Sequence, residues 1–169
     1  MRILFEKHVF AGFTFLGNQA GKTSLQIAEG IRQVTDNAIS LETALRSASI
    51  AVTSGFRTDQ IAQLTEVARN ASIALGRNMT DSIDRLFRGV AKLEPEILDE
   101  LGILVRLDTA VTEYAASLNK SATQLTDAER RQAFLNATIE QGAKKYGALS
   151  DAVKPNQFDQ LSAAFEELT

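Results

Sequence analysis

Residues 55–106 form a train of short amphipathic segments, and each segment carries its own start and stop signals. Gly76 and Gly102 suit helix ends, because a residue without Cβ adopts the left-handed C-cap conformation at little cost. Thr80 predicts the start of the segment after Gly76, and Pro95 suits a first helical turn, where no amide hydrogen is needed. In the first segment the apolar residues recur at steps of three and four: Ile61, Leu64, Ala68, Ala71 and Leu75. The stretch predicts packed helices and contains no nucleophile beside a base.

Residues 24–54 carry a different pattern, an unbroken 3.5-residue apolar repeat over nearly four heptads. The positions alternate in steps of four and three: Ile27, Ile31, Val34, Ala38, Leu41, Leu45, Ala48 and Val52. This pattern predicts one long helix with a coiled-coil-type self-association seam. Alanine and valine make up half of the seam, so the buried area is small and the helix is marginal alone. We expect either the rest of the chain or another copy to cover it.

The N-terminal segment, residues 1–23, is apolar and ends in a turn. Alternate residues of Met1–Leu16 are apolar, which favours a short extended segment. A signal peptide is disfavoured by Glu6, and a membrane span needs about 20 apolar residues. The third interpretation is a strand or helix that docks on partners, or a remnant of a truncated reading frame. Together the patterns divide the chain into residues 1–23, 24–54 and 55–169.

The sequence offers little catalytic or ligand-binding chemistry. Residues 17–23, GNQAGKT, resemble a phosphate-binding loop, but the glycines are one residue too close and no strand ending in aspartate follows. His8 is the single histidine and no second ligand lies near it in sequence. The acidic run at residues 94–100 lacks the spacing of a calcium loop and is interpreted as solvated helix faces. Cysteine is absent, so thiolate metal sites and disulfides are excluded. We therefore expect no cofactor, no metal and no small-molecule substrate.

The remaining segments are also helical in pattern. Ile103–Leu107 is a short apolar run that is expected to be extended or a tight turn buried among helices. Thr126 and Glu129 have the spacing of a capping box and predict the start of a helix. After Pro155, a last amphipathic helix is predicted with four apolar residues on one face: Phe158, Leu161, Phe165 and Leu168. The fold class expected is therefore all-α, with several amphipathic helices and a short apolar N-terminal segment.

A family resemblance accompanies these patterns. The string TSGFRTDQIAQLTEVARNASIALGRNMTDSIDRLFRGVAKLEPEILDELGI, with its continuation to Gly147, resembles the tail tape-measure proteins of long-tailed bacteriophages and prophages. The likeness covers about Ser54 to Gly147. It implies a mainly helical protein of the virion that lies in the tail tube lumen, sets tail length during assembly in the host cytoplasm, and leaves with the DNA.

The resemblance also implies partners and a size. Its partners would be other copies of the chain and the tail-tube and tail-tip proteins, with membrane contact only at infection. Family members are much longer than this chain of 169 residues. As one continuous helix the chain would reach roughly 250 Å at about 1.5 Å per residue. We therefore expect a piece of a tape measure or a prophage remnant. The net charge of −3 gives no reason to expect sequence-specific nucleic-acid binding.

Three functional hypotheses follow. The first is a structural segment of a phage tail tape measure. The second is a generic helical self-association or scaffold module without catalytic activity. The third is an enzyme, either a nucleotide hydrolase through residues 17–23 or a peptidoglycan hydrolase of the kind some long tape measures carry. A hydrolase needs paired acids in a cleft or histidine ligands to a metal, and neither is recognisable. The chain is therefore expected not to be an enzyme.

Overall fold

The computed structural model describes residues 24–149, 163–165 and 167. Residues 24–149 form seven α-helices and two short 3₁₀ helices, and residues 163–165 and 167 are also helical. No strand occurs among the described residues, which confirms the predicted all-α class. The α-helices are α1 (Ser24–Val34), α2 (Leu41–Thr53), α3 (Thr58–Leu75), α4 (Met79–Lys92), α5 (Pro95–Asp99), α6 (Leu107–Ser117) and α7 (Asp127–Tyr146), and the 3₁₀ helices are Ala122–Gln124 and Gly147–Leu149. The predicted N-terminal segment 1–23 and most of the predicted last helix lie outside the described residues.

The predicted single helix over residues 24–54 is wrong, because the chain turns between α1 and α2. Asp36 and Asn37 have φ angles of 52° and 61°, in the left-handed region that Asp and Asn enter more readily than other side chains. Ser40 then caps α2, because its side-chain oxygen accepts a hydrogen bond from the amide of Thr43 at 3.1 Å. These local signals outweigh the heptad pattern, which continues through the turn without a break.

The helices pack around one main core. Helix α1 lies against α2 and α3, α2 against α4, and α7 against α3, α4 and α6. The largest fully buried side chains come from α1, the α1–α2 turn, α3, α4, α5, α7 and the loop after α5: Phe87, Phe134, Ile31, Ile39, Leu64, Met79, Ile83, Leu86, Leu98, Leu101 and Ile103. A smaller cluster joins α6 to α7 and is made of Val111, Ala115, Leu125 and Ala133. The core therefore depends on contacts between segments far apart in sequence.

Close approach of α3 and α7 depends on a glycine. Gly142 is buried in α7, and a Cβ placed on it would lie 2.2 Å from Cγ1 and 2.8 Å from Cγ2 of Val67 in α3. Real side chains do not approach so closely. Only a residue without Cβ allows the two helices this separation.

Most helix boundaries follow the predicted caps. Gly76 ends α3 with φ 62°, and Pro95 begins α5. At α7 the Glu129 amide donates to the Thr126 hydroxyl at 3.1 Å, and the Thr126 amide donates to the Glu129 carboxylate at 2.8 Å, which confirms the capping box. Helix α4 begins one residue earlier than predicted, because Asn78 provides the capping oxygen.

Candidate interaction surface

The predicted seam is divided between the two helices and the turn, and it faces the core of its own chain. Five members are buried, namely Ile27, Ile31, Ala38, Leu45 and Ala48. Leu41 and Val52 are partly buried against the same core, and Val34 is of intermediate exposure. The stripe is therefore not an open face of one long helix, as the heptads predicted. Folded copies would have to separate α1 and α2 from α3 and α4 before they could associate through it.

Exposed apolar side chains are few in the described residues. Those that stand out are Leu25, Leu75, Leu104, Leu118 and Phe165. Leu104 is the most exposed of them, at 68%, and it lies between α5 and α6. Its neighbours Ile103 and Val105 are 1% and 7% exposed. Successive side chains thus alternate between core and solvent, as they do in a β-strand.

The main chain around Leu104 is largely unpaired. Arg106 is in an extended conformation, and the Ile103 amide donates to the carbonyl of Leu98 at 3.1 Å. Within the part of the chain that the structure describes, the amides of residues 104–106 and the carbonyls of residues 103–105 make no hydrogen bond to protein. We call this segment the 103–106 edge, because it offers the donors and acceptors of an unpaired edge strand.

Helix α7 holds the start of the edge in place. The Tyr146 hydroxyl donates to the carbonyl of Leu101 at 2.7 Å, and the Lys145 ammonium donates to the carbonyl of Gly102 at 2.7 Å. Burial raises the pKa of Tyr146 above its ordinary value, so the hydroxyl keeps its proton and remains a donor. Gly102 has φ 71°, and a Cβ there would lie 2.5 Å from the Tyr146 hydroxyl. The turn before the edge is therefore fixed by α7 and not only by its own sequence.

A shallow open groove runs between α5 and the edge, with a volume of about 230 Å³. Its lining combines an apolar strip with three charged side chains: Pro95, Glu96, Asp99, Leu104, Val105 and Arg106. Glu96, Asp99 and Arg106 are exposed, and among the described residues none of the three is in an ion pair. The groove thus has two available carboxylates beside α5 and one available guanidinium at the start of α6.

The neighbouring carboxylates are already paired. The Arg85 side chain contacts Asp81 at 2.9 Å and also donates to the carboxylate of Glu100, while Arg77 donates to the Glu100 carbonyl at 3.1 Å. These contacts raise the pKa of Arg85, with the hydrogen bond and charge of Asp81 as the largest causes and Glu100 next. The arrangement joins α4 to the end of α5. Its role is structural. Of the described carboxylates that line the groove, Glu96 and Asp99 are the ones without an ion pair.

The other sites considered from the sequence give no constellation. In the described ranges no group of three histidine, cysteine, aspartate or glutamate residues could hold a metal ion. The loop-like residues 17–23 and His8 lie outside those ranges. No helix of the described part is long and apolar enough to cross a membrane. No family model matches the sequence, and no solved structure matches the chain.

The sequence indicated the edge only in part. The apolar run Ile103–Leu107 predicted an extended or tightly turned segment; residues 103–106 are indeed non-helical, whereas Leu107 begins α6. The expectation that it is buried among helices is wrong for Leu104, whose side chain faces solvent. Three consecutive apolar residues give no indication of which one points outward, because that depends on how α5 and α7 hold the chain.

Proposed function

We propose that the chain is a structural protein of a phage tail, a segment of the tape measure that assembles in the tail tube. The observation that carries the proposal is the resemblance over about Ser54 to Gly147. These limits lie close to the start of α3 at Thr58 and the end of α7 at Tyr146, so the resemblance spans these five helices and their connections.

In this function the described residues act as a folded unit and not as a ruler. The longest described helix, α7, has 20 residues and is about 30 Å long at 1.5 Å per residue. Because seven helices fold back on one another, the unit adds much less length than an extended helix would. We propose that it supplies contacts to tail-tube and tail-tip proteins or to other copies, while length is set by other parts of a tape measure.

The charge of the chain is compatible with a tube through which DNA passes. A net charge of −3 gives no attraction to phosphates, so the protein would not retain the DNA. The proposed locations are the tail tube lumen of the virion and, during assembly, the host cytoplasm. Membrane contact is proposed only for infection, and no catalytic activity is assigned.

The alternative is a helical scaffold module outside a phage tail, again without catalytic activity. The 103–106 edge favours a binding role of this general kind, because it offers an exposed leucine and main-chain groups that have no hydrogen-bond partner among the described residues. The two proposals differ in location and in their assembly partners, and not in fold.

A substitution that keeps the length but removes the fold tests the tail proposal. Phe134 is fully buried, so Phe134→Asp in the gene product that carries the chain places an uncompensated charge in the core. Leu75→Lys, at a residue that is 45% exposed, is the matched control. We expect mass spectrometry to detect the wild-type chain and the control chain in purified tails. Electron microscopy should show tails of normal shape and length in both cases. We expect Phe134→Asp to prevent tail assembly.

Two results would overturn this proposal. Absence of the wild-type chain from purified tail particles would exclude the phage-tail function and leave the scaffold alternative. Normal tails with the Phe134→Asp chain inside them would show that the folded unit is not needed for assembly. Tails shortened in proportion to an in-frame deletion, by about 1.5 Å per residue removed, would instead assign a ruler role to this part of the chain.

A further inference from the structure

We propose that the 103–106 edge is a docking site for an extended segment of a partner protein that carries an apolar side chain and a basic one. The segment would add to the edge as a β-strand, cover Leu104, and place its lysine or arginine beside Glu96 and Asp99. This inference goes beyond the tail function and stands without it, because it rests only on the groove and the edge.

The main chain supplies the first argument. Among the described residues, six hydrogen-bonding groups of residues 103–106 have no protein partner, three amides and three carbonyls. In an extended chain, the amide and carbonyl of one residue point to the same side and those of the next residue point to the opposite side. A partner strand on either side therefore finds both donors and acceptors. Strand addition of this kind derives affinity from main-chain bonds and specificity from the alternate side chains.

Leu104 supplies the second argument. Isolated exposed leucines are ordinary on protein surfaces and carry no inference alone. Leu104 differs from Leu25 and Leu75, which lie on α-helices, where the main chain is not extended and cannot pair with a strand. Here the exposed side chain is part of the segment with free main-chain groups. One extended peptide can cover the leucine and pair with the backbone at the same time.

The charges decide between classes of partner. Glu96 and Asp99 are exposed and unpaired among the described residues, whereas Glu100 is taken up by Arg85. Two exposed carboxylates attract a cationic side chain and repel phosphate, so the groove fits a peptide with a basic side chain better than a nucleic acid. Arg106 at the other end of the groove disfavours a long run of cations. The occupant that fits is an apolar extended segment with one or two basic residues.

The test uses the full chain and three synthetic probes. The first is an acetylated and amidated octapeptide with valine at alternate positions and with two lysines and two threonines between the valines. The second replaces the lysines with glutamate, and the third has N-methyl groups on alternate valines so that one side cannot donate main-chain hydrogen bonds. Binding is followed by amide chemical shifts in the nuclear magnetic resonance spectrum and by calorimetry, at up to about 1 mM peptide, where weak affinity is still measurable.

We expect the lysine peptide to shift the amides of residues 104–106 and to bind at least about tenfold more tightly than the other two probes, a difference well within measurement. Leu104→Ser should weaken binding by about tenfold, as for a central interface residue, while Leu75→Ser leaves it unchanged. Glu96→Lys combined with Asp99→Lys should reverse the preference to the glutamate peptide. All four positions are exposed, so these substitutions leave the core intact.

Several results would refute the proposal. No shift at residues 104–106 with any probe would show that the edge does not accept a strand. Equal binding of the N-methylated peptide would remove the main-chain argument, and loss of binding in Leu75→Ser would place the site elsewhere. Amides of residues 104–106 that are protected from solvent exchange without peptide would mean that the edge is already occupied. The occupant would then be a second copy if protection depends on concentration, and another segment of the chain if it does not.

Discussion

Gly142→Ala is the substitution whose effect the structure fixes most directly. The new methyl group would lie 2.2 Å from Cγ1 of Val67 and 3.1 Å from its Cβ. Val67 is 4% exposed and β-branched, so its side chain is buried and stiff at χ1. The methyl group can therefore be accommodated only if α7 moves away from α3.

Two opposing terms set the magnitude. Overpacking a well-packed core by a methyl group typically costs about 1–3 kcal/mol. Alanine is better than glycine in a helix interior by about 1 kcal/mol, which offsets part of that cost. We expect Gly142→Ala to lower the free energy of unfolding by about 1–2 kcal/mol, because a contact at 2.2 Å puts the overpacking cost in the upper part of its range. Urea unfolding followed by circular dichroism measures this difference through the midpoint at constant slope.

Gly30→Ala is the matched control. Gly30 lies inside α1, and a Cβ placed there would have no neighbour within 4 Å. Only the helix-propensity term then applies, so this variant should be more stable than the native chain by up to about 1 kcal/mol. The same chemical change is thus expected to have opposite signs at the two glycines.

A second substitution tests the named contact. Val67→Ala removes both methyl groups that the new Cβ would meet, so Gly142→Ala should be much less harmful in a Val67→Ala background. The reasoning would be refuted if Gly142→Ala were as stable as the native chain. It would also be refuted if the cost of Gly142→Ala were the same with and without Val67, because the clash would then lie elsewhere.

Three further predictions concern single contacts. Lys120 and the helix cap lower the pKa of Glu129. The stabilising effect of its carboxylate should therefore be present near neutral pH and lost as pH falls below about 4. Glu129→Gln should reduce the fall of the urea midpoint at acid pH, which unfolding measured at several pH values tests. Tyr146→Phe leaves a buried carbonyl unpaired and should cost about 1–3 kcal/mol in the same assay, whereas Tyr114→Phe, whose hydroxyl makes no hydrogen bond to protein among the described residues, should be nearly neutral. Asn37→Ala should destabilise the chain by about 1 kcal/mol, and Asn37→Gly should not, because only the alanine resists a positive φ.

Helix ends were predictable wherever the signal is local. The Thr126–Glu129 box, Pro95 and Gly76 act through their own neighbours along the chain, so their chemistry can be interpreted without the fold. The end of α4 shows the limit of such rules. Leu93 takes φ 58°, a conformation that a bulky side chain adopts at some cost. The core holds it there because Leu93 packs against the main cluster, and no sequence rule places a leucine at such a position.

The candidate site was less predictable than the fold, because its properties arise between distant segments. Lys145 and Tyr146 hold residues that are more than forty positions earlier in the chain, and this contact determines which face of the 103–106 edge is exposed. Glu100 is paired with Arg85, whereas Glu96 and Asp99 make no ion pair among the described residues. Sequence spacing shows four acidic residues close together, but it does not show which ones the fold neutralises.

The turn between α1 and α2 shows why a periodic pattern can mislead. Apolar residues in two helices that fold back on a shared core must face that core, so each helix keeps its own repeat. The number of connecting residues, 35–40, happens to keep the two helical repeats in the same heptad register. Ala38 therefore falls on the apolar stripe although it lies in the turn. The sign of the Asn37→Ala effect separates the two structures. In one continuous helix alanine would stabilise by up to about 0.7 kcal/mol relative to asparagine, whereas in the left-handed turn it destabilises. If the Asn37→Ala chain were more stable than the native one, the result would therefore support the predicted single long helix and, with it, an open seam for self-association.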